Sequence, residues 1–525
     1  MDALSCSLTS NCLGNNNPVF NINGKNFNHL MYVDDLLVFG MTKAHNATNL
    51  MNILTDFADS SGLNINPTKS SIIFSNNTVD AEQFCSIMGI IQRSSFLTYL
   101  GIPISPERLK ANHFQVLLDK IISLLEGWKV RFLSLAGRVQ FLKFTISNTL
   151  AYWIKGSIIP KAICKTINKL CSKFLFHGEI NGKKVHMIAW ENTVIPKQNG
   201  GLGIVSIDAC YYSYHCTFIW NLLTQDSLIY SWFKNKYYSP WKPPVAKASK
   251  FWKVICSTAY KIKNHFSFNI NSTSKFSLCW DPLINGKSLS DFFQINQRFT
   301  GLSVNSCIRD NVWTLPDYFP DNMKHAISAI EIKEQPALAW DGSLNPNFKN
   351  FLNSYYTHLE EVNWHKYVWY KSYSLRYSIL TWMAILQKLK VADLLIKKSI
   401  QVNPVCCLCN NAQEDHNHLF FNCDFTFNVI NKLIPELNSF LLKPNLIQVF
   451  DYMDNQLLMS KWEKNFCWFT IGCTVYHLWR ERNNRKFANK WNSTENIIIT
   501  IKNAIRVKTC SWKHFHHLIE KFQFY

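Results

Sequence analysis

No uncharged apolar run in this 525-residue sequence reaches the length of a membrane span, which excludes a helical transmembrane protein. The first residues, MDALSCSLTSNCLG, lack the basic-then-apolar order of a secretory leader, so the expected location is intracellular, in nucleus or cytoplasm. A fixed-period repeat and low-complexity tracts are missing too, which excludes solenoids and compositionally biased tails. Acidic residues are scarce: 35 Asp and Glu stand against 55 Lys and Arg, a formal charge of +20. That imbalance points to a polyanionic partner, and with no membrane segment the expected partner is RNA, DNA or an RNA–DNA hybrid. Seventeen cysteines are present, an odd number without a regular framework, as in a reducing compartment. Hydrophobic residues make up 47% and aromatics 14%, enough for a large core divided among two to four domains.

Along the chain the pattern begins as mixed α/β. Leu30-Met31-Tyr32 and Leu36-Leu37-Val38-Phe39 read as two strands joined by a tight turn at Asp34-Asp35. The stretch TKAHNATNLMNILTDFADSSG reads as a helix, with Thr42 as cap, Leu50, Ile53, Leu54 and Phe57 on one face, and Gly62 at the stop. From about residue 105 the pattern is helical. HFQVLLDKIISLLEGW has apolar residues at 114, 117, 118, 121, 122 and 125, one buried stripe. A second helix follows, capped by Ser134, and a third runs from Pro160 to Gly178. PKQNGGLGI, at 196 to 204, looks like a closing turn. Residues 206 to 335 are aromatic-rich and irregular, and helices return at 365 to 398 and 462 to 487.

Two adjacent carboxylates between apolar strands suit a hard-cation site, because Mg²⁺ prefers oxygen ligands and phosphoryl transfer needs converging carboxylates. A solvated hairpin tip is the plainer explanation. Two further segments, GLNINPTKS at 62 to 70 and LTYLGIPI at 97 to 104, follow YVDD in order. Together these resemble the third, fourth and fifth palm motifs of reverse transcriptases from LINE-type (non-LTR) retrotransposons. LSLAGRVQFL, IPKQNGGLGI and a cysteine–histidine cluster extend the likeness, over nearly the whole chain, to plant members of that family.

The resemblance implies that Asp34 binds catalytic magnesium with Asp35 in support, that Tyr32 lies near the primer end, and that Lys69 assists pyrophosphate departure. YLGIPI, with Tyr99 and Gly101, would be the hairpin gripping the primer. The family's site also needs an Asp from a strand far upstream, whereas the only carboxylate before Asp34 is Asp2. Met1 therefore corresponds to an internal methionine of the family, and Mg²⁺ binding at Asp34 and Asp35 is expected to be weak or lost.

In CCLCNNAQEDHNHLFFNC, residues Cys406, Cys409, His418 and Cys423 form a C-x2-C-x8-H-x4-C arrangement. Three thiolates and one imidazole make a closed tetrahedral site for one structural Zn²⁺. Buried free thiols are the alternative, and Cys407 and His416 are neighbouring spares. The cluster and the helical stretch before it resemble the zinc-binding domain that follows reverse transcriptases in plant LINE elements, where the His precedes LFF and a Cys. That favours His418.

Lys161, Lys165, Lys169 and Lys173 recur every fourth residue on the third helix, where like charges repel unless a phosphate backbone lies along them. Arg480, Arg482, Arg485 and Lys486 gather beside Trp479, interrupted by Glu481. The plain explanation of both is a solvated helix surface.

The expected class is α+β, a truncated palm-like α/β start followed by mostly α-helical parts. The resemblance divides the chain into a truncated palm (1–104), a helical thumb-like region (105–205), an aromatic-rich connecting region (206–335), a zinc-binding domain (336–430) and a basic helical C-terminal region (431–525). It implies a remnant of an RNA-directed DNA polymerase that keeps nucleic-acid affinity and is inactive alone. The competing expectations are an active reverse transcriptase with a mis-assigned start or a complementing half, and a zinc-bearing nucleic-acid-binding host module.

Overall fold

Helices form where the apolar spacing called for them, and tertiary packing sets their ends. The computed structural model describes residues 2–10, 20–22, 25–75, 78–90, 95–127, 132–181, 186–439, 445–455 and 459–524. The helix Ala44–Ser61 ends at Gly62, whose φ of 73° places it in the left-handed region that closes a helix. Its N-terminus departs from expectation. Lys43, not Thr42, is the N-cap residue, and no side chain caps the turn. Asn46 instead donates its amide to the Met41 carbonyl at 3.1 Å. Ser134 does cap Leu135–Phe141, accepting from the Gly137 amide at 3.3 Å.

The expected class is observed: helices dominate, and all five sheets among the described residues are two-stranded. The chain divides into two compact units, each built from three segments.

The first unit comprises Met1–Leu117, Leu150–Ile163 and Ile207–Tyr355. Near the N-terminus Leu4, Leu8, Ala47, Leu54 and Met88 form a small core, and Met31 and Leu36 of the strands His29–Tyr32 and Asp35–Val38 pack on it. The stretch read as irregular holds the larger core. Helix Ile207–Thr224 buries residues all around its circumference, Ile207, Cys210, Ser213, Ile219 and Trp220 among them, and so has no polar face to betray it in sequence. Trp220, Trp252, Phe266, Trp340 and Phe351 meet there. Strand Phe266–Asn269 pairs with Ala337–Trp340 in antiparallel register, Phe266 opposite Trp340, closing a long excursion of chain. That excursion has few regular elements and its own core around Leu278, Cys279, Val304 and Ile327.

The second unit comprises Leu118–Thr149, Cys164–Ser206 and Tyr356–Tyr525. Its axis is helix Lys461–Asn483, which starts with a reciprocal capping box: the Ser460 amide donates to Glu463 at 2.7 Å while the Ser460 hydroxyl accepts from the Glu463 amide. Gly472 on this helix lets Leu375–Ile385 come close, since a Cβ there would lie 3.3 Å from Thr381 Oγ1. PKQNGGLGI folds as a tight glycine turn. A Cβ on Gly201 would stand 2.2 Å from the Ile195 carbonyl oxygen, and the Trp382 indole donates to the Gly200 carbonyl at 2.7 Å.

Every cysteine among the described residues is a free thiol. No helix among them is long and apolar enough to cross a membrane.

Candidate metal centre

Cys406 and Cys409 sit on a tight loop whose ends are pinned by the Cys406 amide on the Ala412 carbonyl at 2.8 Å and the Glu414 amide on the Pro404 carbonyl at 2.8 Å. Asn410 turns the chain with φ of 56° and donates its amide to Cys406 O at 2.8 Å. His418 and Cys423 lie at the two ends of one π-helical turn, His418–Asn422, closed by the Cys423 amide on the His418 carbonyl at 2.9 Å. A π turn brings residues five apart into line, which is why the H-x4-C spacing presents both side chains to the same point.

The side-chain ligand atoms of Cys406, Cys409, His418 and Cys423 all lie within 4.8 Å of one another, and Cys409 Sγ is 3.3 Å from His418 Nε2. A tetrahedral zinc ion with ordinary sulfur and nitrogen bonds requires ligand separations of about 3.3 to 3.8 Å. Three soft thiolates and one imidazole, with Cys406 and Cys423 buried, therefore fit one Zn²⁺. A hydrogen bond from Cys423 holds the Cys406 thiol below its usual pKa and raises that of Cys423. The two spares point elsewhere. Cys407 Sγ lies 3.6 Å from the Arg482 carbonyl, and burial raises its pKa. Buried His416 keeps Nε2 without a partner among the described residues, outside the cluster.

The surroundings of this cluster come from the long helix. Arg482 is 2% exposed and grips Glu414, itself fully buried, through Nη2 to Oε1 at 2.6 Å and Nε to Oε2 at 3.1 Å. Lys486 adds a contact at 3.3 Å and the Ala392 amide another at 2.9 Å. Burial pushes the Glu414 carboxyl up, but the Arg482 bonds and charge outweigh it and hold the group below its usual range. Arg485 donates Nη1 to the carbonyls of Cys407 and Leu408, each at 3.2 Å, clamping the cysteine loop from outside. Glu481 orients Arg485 at 2.8 Å and ties down Asn492. The arginines read as a solvated or phosphate-facing group are thus internal struts, with Arg480 left exposed. Glu481, which interrupts the basic run, was the sequence signal of that arrangement. Glu414 gave none.

The carboxylate pair is arranged differently. Tyr32 pairs with Asp35, Val33 and Asp34 form the two-residue turn, and Val33 takes φ of 54°. The hairpin base is tied down: the buried Asn28 amide donates to Leu8 O at 2.7 Å, and His29 bonds Asn28 and Ser5. The tip is open. Asp34 and Asp35 are exposed, and Tyr32 is 60% exposed. Among the described residues no third metal-ligating group joins them, the cysteine–histidine cluster being the sole set of three or more. Lys69 is exposed in a turn organised by Asn66, whose Oδ1 accepts from the Thr68 and Lys69 amides. Strands Leu97–Tyr99 and Ile102–Ile104 form a second hairpin through Leu100 and Gly101, both with positive φ. The Tyr152 hydroxyl holds the Leu100 carbonyl, and Ile102 fills the notch over Gly156, where a Cβ would stand 2.2 Å from its Cδ1.

On helix Lys161–His177, Ile163, Ile167 and Phe174 are buried while Lys161, Lys165 and Lys169 are exposed. Lys173 leaves this row. It is half-buried and donates to the Ile180 carbonyl at 3.0 Å, stapling the turn beyond the helix. The free row is three lysines long.

Residues 347–429 match the family described as zinc-binding in reverse transcriptase. Over 364 residues, 64% of this chain, the sequence is 20% identical to an Arabidopsis thaliana protein described as a ribonuclease H protein. The chain spans 58% of that relative's length. A reverse-transcriptase zinc-binding domain is therefore present, and the four cluster residues fall inside it.

Proposed function

We propose that this chain is a nucleic-acid-binding part of a LINE-type reverse transcriptase, of plant origin, in which a structural zinc site and a basic helix serve binding while the polymerase motifs by themselves do not catalyse. The observation that carries this reading is the buried Cys406–Cys409–His418–Cys423 cluster within a region matched to reverse transcriptase zinc-binding domains. The name of the Arabidopsis relative and the charge of +20 support a nucleic-acid partner. On this reading residues 1–104 are palm, 105–205 thumb-like, 206–335 connecting, 336–430 zinc-binding and 431–525 a C-terminal extension.

Zinc, when bound, supplies no reactive chemistry here, because four protein ligands leave no open coordination position. The chain's own residues do the binding. Lys161, Lys165 and Lys169 would contact phosphates without reading sequence. Among the described residues no third carboxylate joins Asp34 and Asp35 to hold two metals across a reacting phosphate.

Fluorescence anisotropy of an RNA–DNA hybrid at several salt concentrations tests the reading. Lys165→Ala with Lys169→Ala should weaken binding for every sequence and flatten the salt slope by roughly one to two units. An unchanged slope would reduce the row to a solvated face. Primer extension with Mg²⁺ or Mn²⁺ should give no product. The intact Asp hairpin favours one other reading, in which a further segment or polypeptide supplies the missing carboxylate. Extension would then appear only with that piece added and vanish in Asp34→Ala.

A further inference from the structure

Two lysines that the zinc site and the exposed row leave unused meet in the second unit. Lys143 lies in a five-residue π turn, Leu142–Ile146, and Lys197 opens the short 3-10 turn Lys197–Asn199 of the glycine loop. The Lys143 ammonium and the Lys197 stem meet over Gly203. A Cβ on that residue would lie 3.4 Å from Lys143 Nζ and 3.5 Å from Lys197 Cγ, and its φ of 66° already disfavours any side chain. The Lys197 ammonium is fixed rather than mobile: it donates to the Tyr373 hydroxyl at 2.6 Å and sits 4.5 Å and 4.3 Å from the Trp369 and Tyr373 ring centres.

Among the described residues neither ammonium has a carboxylate at ion-pairing distance. Burial first, and the charge of Lys197 second, hold the Lys143 pKa down to about 8. A half-buried ammonium with a second cation nearby is unfavourable unless an anion joins them. The aromatic rings ease the position of Lys197 and do nothing for Lys143. π turns are also concentrated where a helix carries function rather than only packing.

We infer that Lys143 and Lys197, gathered over Gly203, form a binding site for one phosphate group. Phosphate fits better than a carboxylate because it offers oxygens in several directions to two donors that approach from separate elements. The group has two possible sources, a backbone phosphate of nucleic acid or a free phosphate. The first rests on the nucleic-acid reading above and the second does not.

The test uses the full chain and inorganic phosphate. Melting in potassium phosphate should lie above melting in potassium chloride at equal ionic strength and pH 7, and Lys143→Met should lose that difference while melting no lower in chloride. Equal melting of the parent in both salts, or a full phosphate shift in Lys143→Met, overturns the site. Should Lys143→Met fail to fold, acetylation of the unaltered chain read by mass spectrometry decides: phosphate should protect Lys143 and Lys197 severalfold relative to Lys165, and equal labelling overturns the site. A second arm separates the sources. If a backbone phosphate occupies the site, Lys143→Met weakens RNA–DNA hybrid binding roughly tenfold, as loss of a charged hydrogen bond would. Hybrid affinity unchanged beside a Lys143-dependent phosphate shift assigns the site to free phosphate. A parent chain that binds no hybrid but keeps the phosphate shift overturns the nucleic-acid reading alone.

Discussion

The cysteine cluster and the aspartate hairpin both set metal-ligand residue types on tight turns, yet one gathers four ligand atoms and the other ends in an exposed tip. Around Cys406 and Cys409 the chain supplies a pinned loop, a π turn carrying His418 and Cys423, and an outer layer in which Arg485, held by Glu481, satisfies the Cys407 and Leu408 carbonyls and Arg482 grips Glu414. Around Asp34 and Asp35 it supplies a firm base at Asn28 and nothing beyond the turn among the described residues. The first ligands are encoded in the 18 residues from Cys406 to Cys423. The layer that orients them comes from far along the chain, and that layer is what makes a metal site stable.

The largest test of this contrast removes the metal. Cys409→Ser, or a strong chelator, should take the zinc content from one ion per chain to none and expose the amides of residues 404–425 to hydrogen exchange. Structural zinc contributes on the order of 10 kcal/mol to the segment it folds. Asp34→Ala should leave both quantities alone, with stability within about 0.5 kcal/mol of the parent. Slow exchange persisting in Cys409→Ser would mean that packing, not metal, holds the loop.

Arg482→Met comes next. It strands the Glu414 carboxylate without its main partner in a fully buried place, and denaturant unfolding should show a loss of about 3 to 5 kcal/mol. Arg485→Ala should act on the metal more than on the fold, because it frees the carbonyls of Cys407 and Leu408. Zinc affinity measured against a chromophoric chelator should drop about 10- to 100-fold. Equal affinity in Arg485→Ala would reduce that clamp to a packing contact.

The smallest effect lies at the start of the long helix. Burial raises the Glu463 carboxyl, but the Lys521 ammonium at 2.6 Å and the Ser460 cap outweigh it and hold the pKa at about 2. A folded-state pKa below the ordinary 4.5 means the group adds stability above that value and loses it as pH falls toward 2. Glu463→Gln should therefore lower stability near pH 7 by about 1 to 2 kcal/mol and converge with the parent in acid. Parallel pH curves for the two chains would remove this carboxylate from the acid response.

Much of this was legible along the chain, and the limits of that legibility follow one rule. The apolar runs around YVDD announced a hairpin but set its turn at Asp34-Asp35, one residue past the observed Val33-Asp34, and the hairpin at Leu100-Gly101 was expected only from the family resemblance of YLGIPI. Gly62 and Gly178 ended their helices as expected, because only a residue tolerant of positive φ closes a helix cheaply. Thr42 is not the cap: the helix begins at Ala44 with Lys43 as its N-cap residue, and Asn46 bonds back to the Met41 carbonyl instead.

By itself the sequence determined the helical character, the basic balance, and the cysteine–histidine segment of the metal cluster, since residue type and spacing are properties of neighbours; the choice of His418 over His416 came from the family resemblance. Only the tertiary structure decided what surrounds them. Helix Ile207–Thr224 was invisible because burial on all sides erases the amphipathic stripe. Arg482 looked like surface charge because its acidic partner, Glu414, meets it only when the long helix lies against the cysteine loop, and Arg485 because the Cys407 and Leu408 carbonyls it serves are equally distant in sequence. Lys173 looked like one more lysine of a row until the chain beyond the helix turned its Ile180 carbonyl back onto it. A charge in a sequence has a sign and no depth; depth, and with it the choice between solvent, phosphate and carboxylate, is set by which distant segment folds over it.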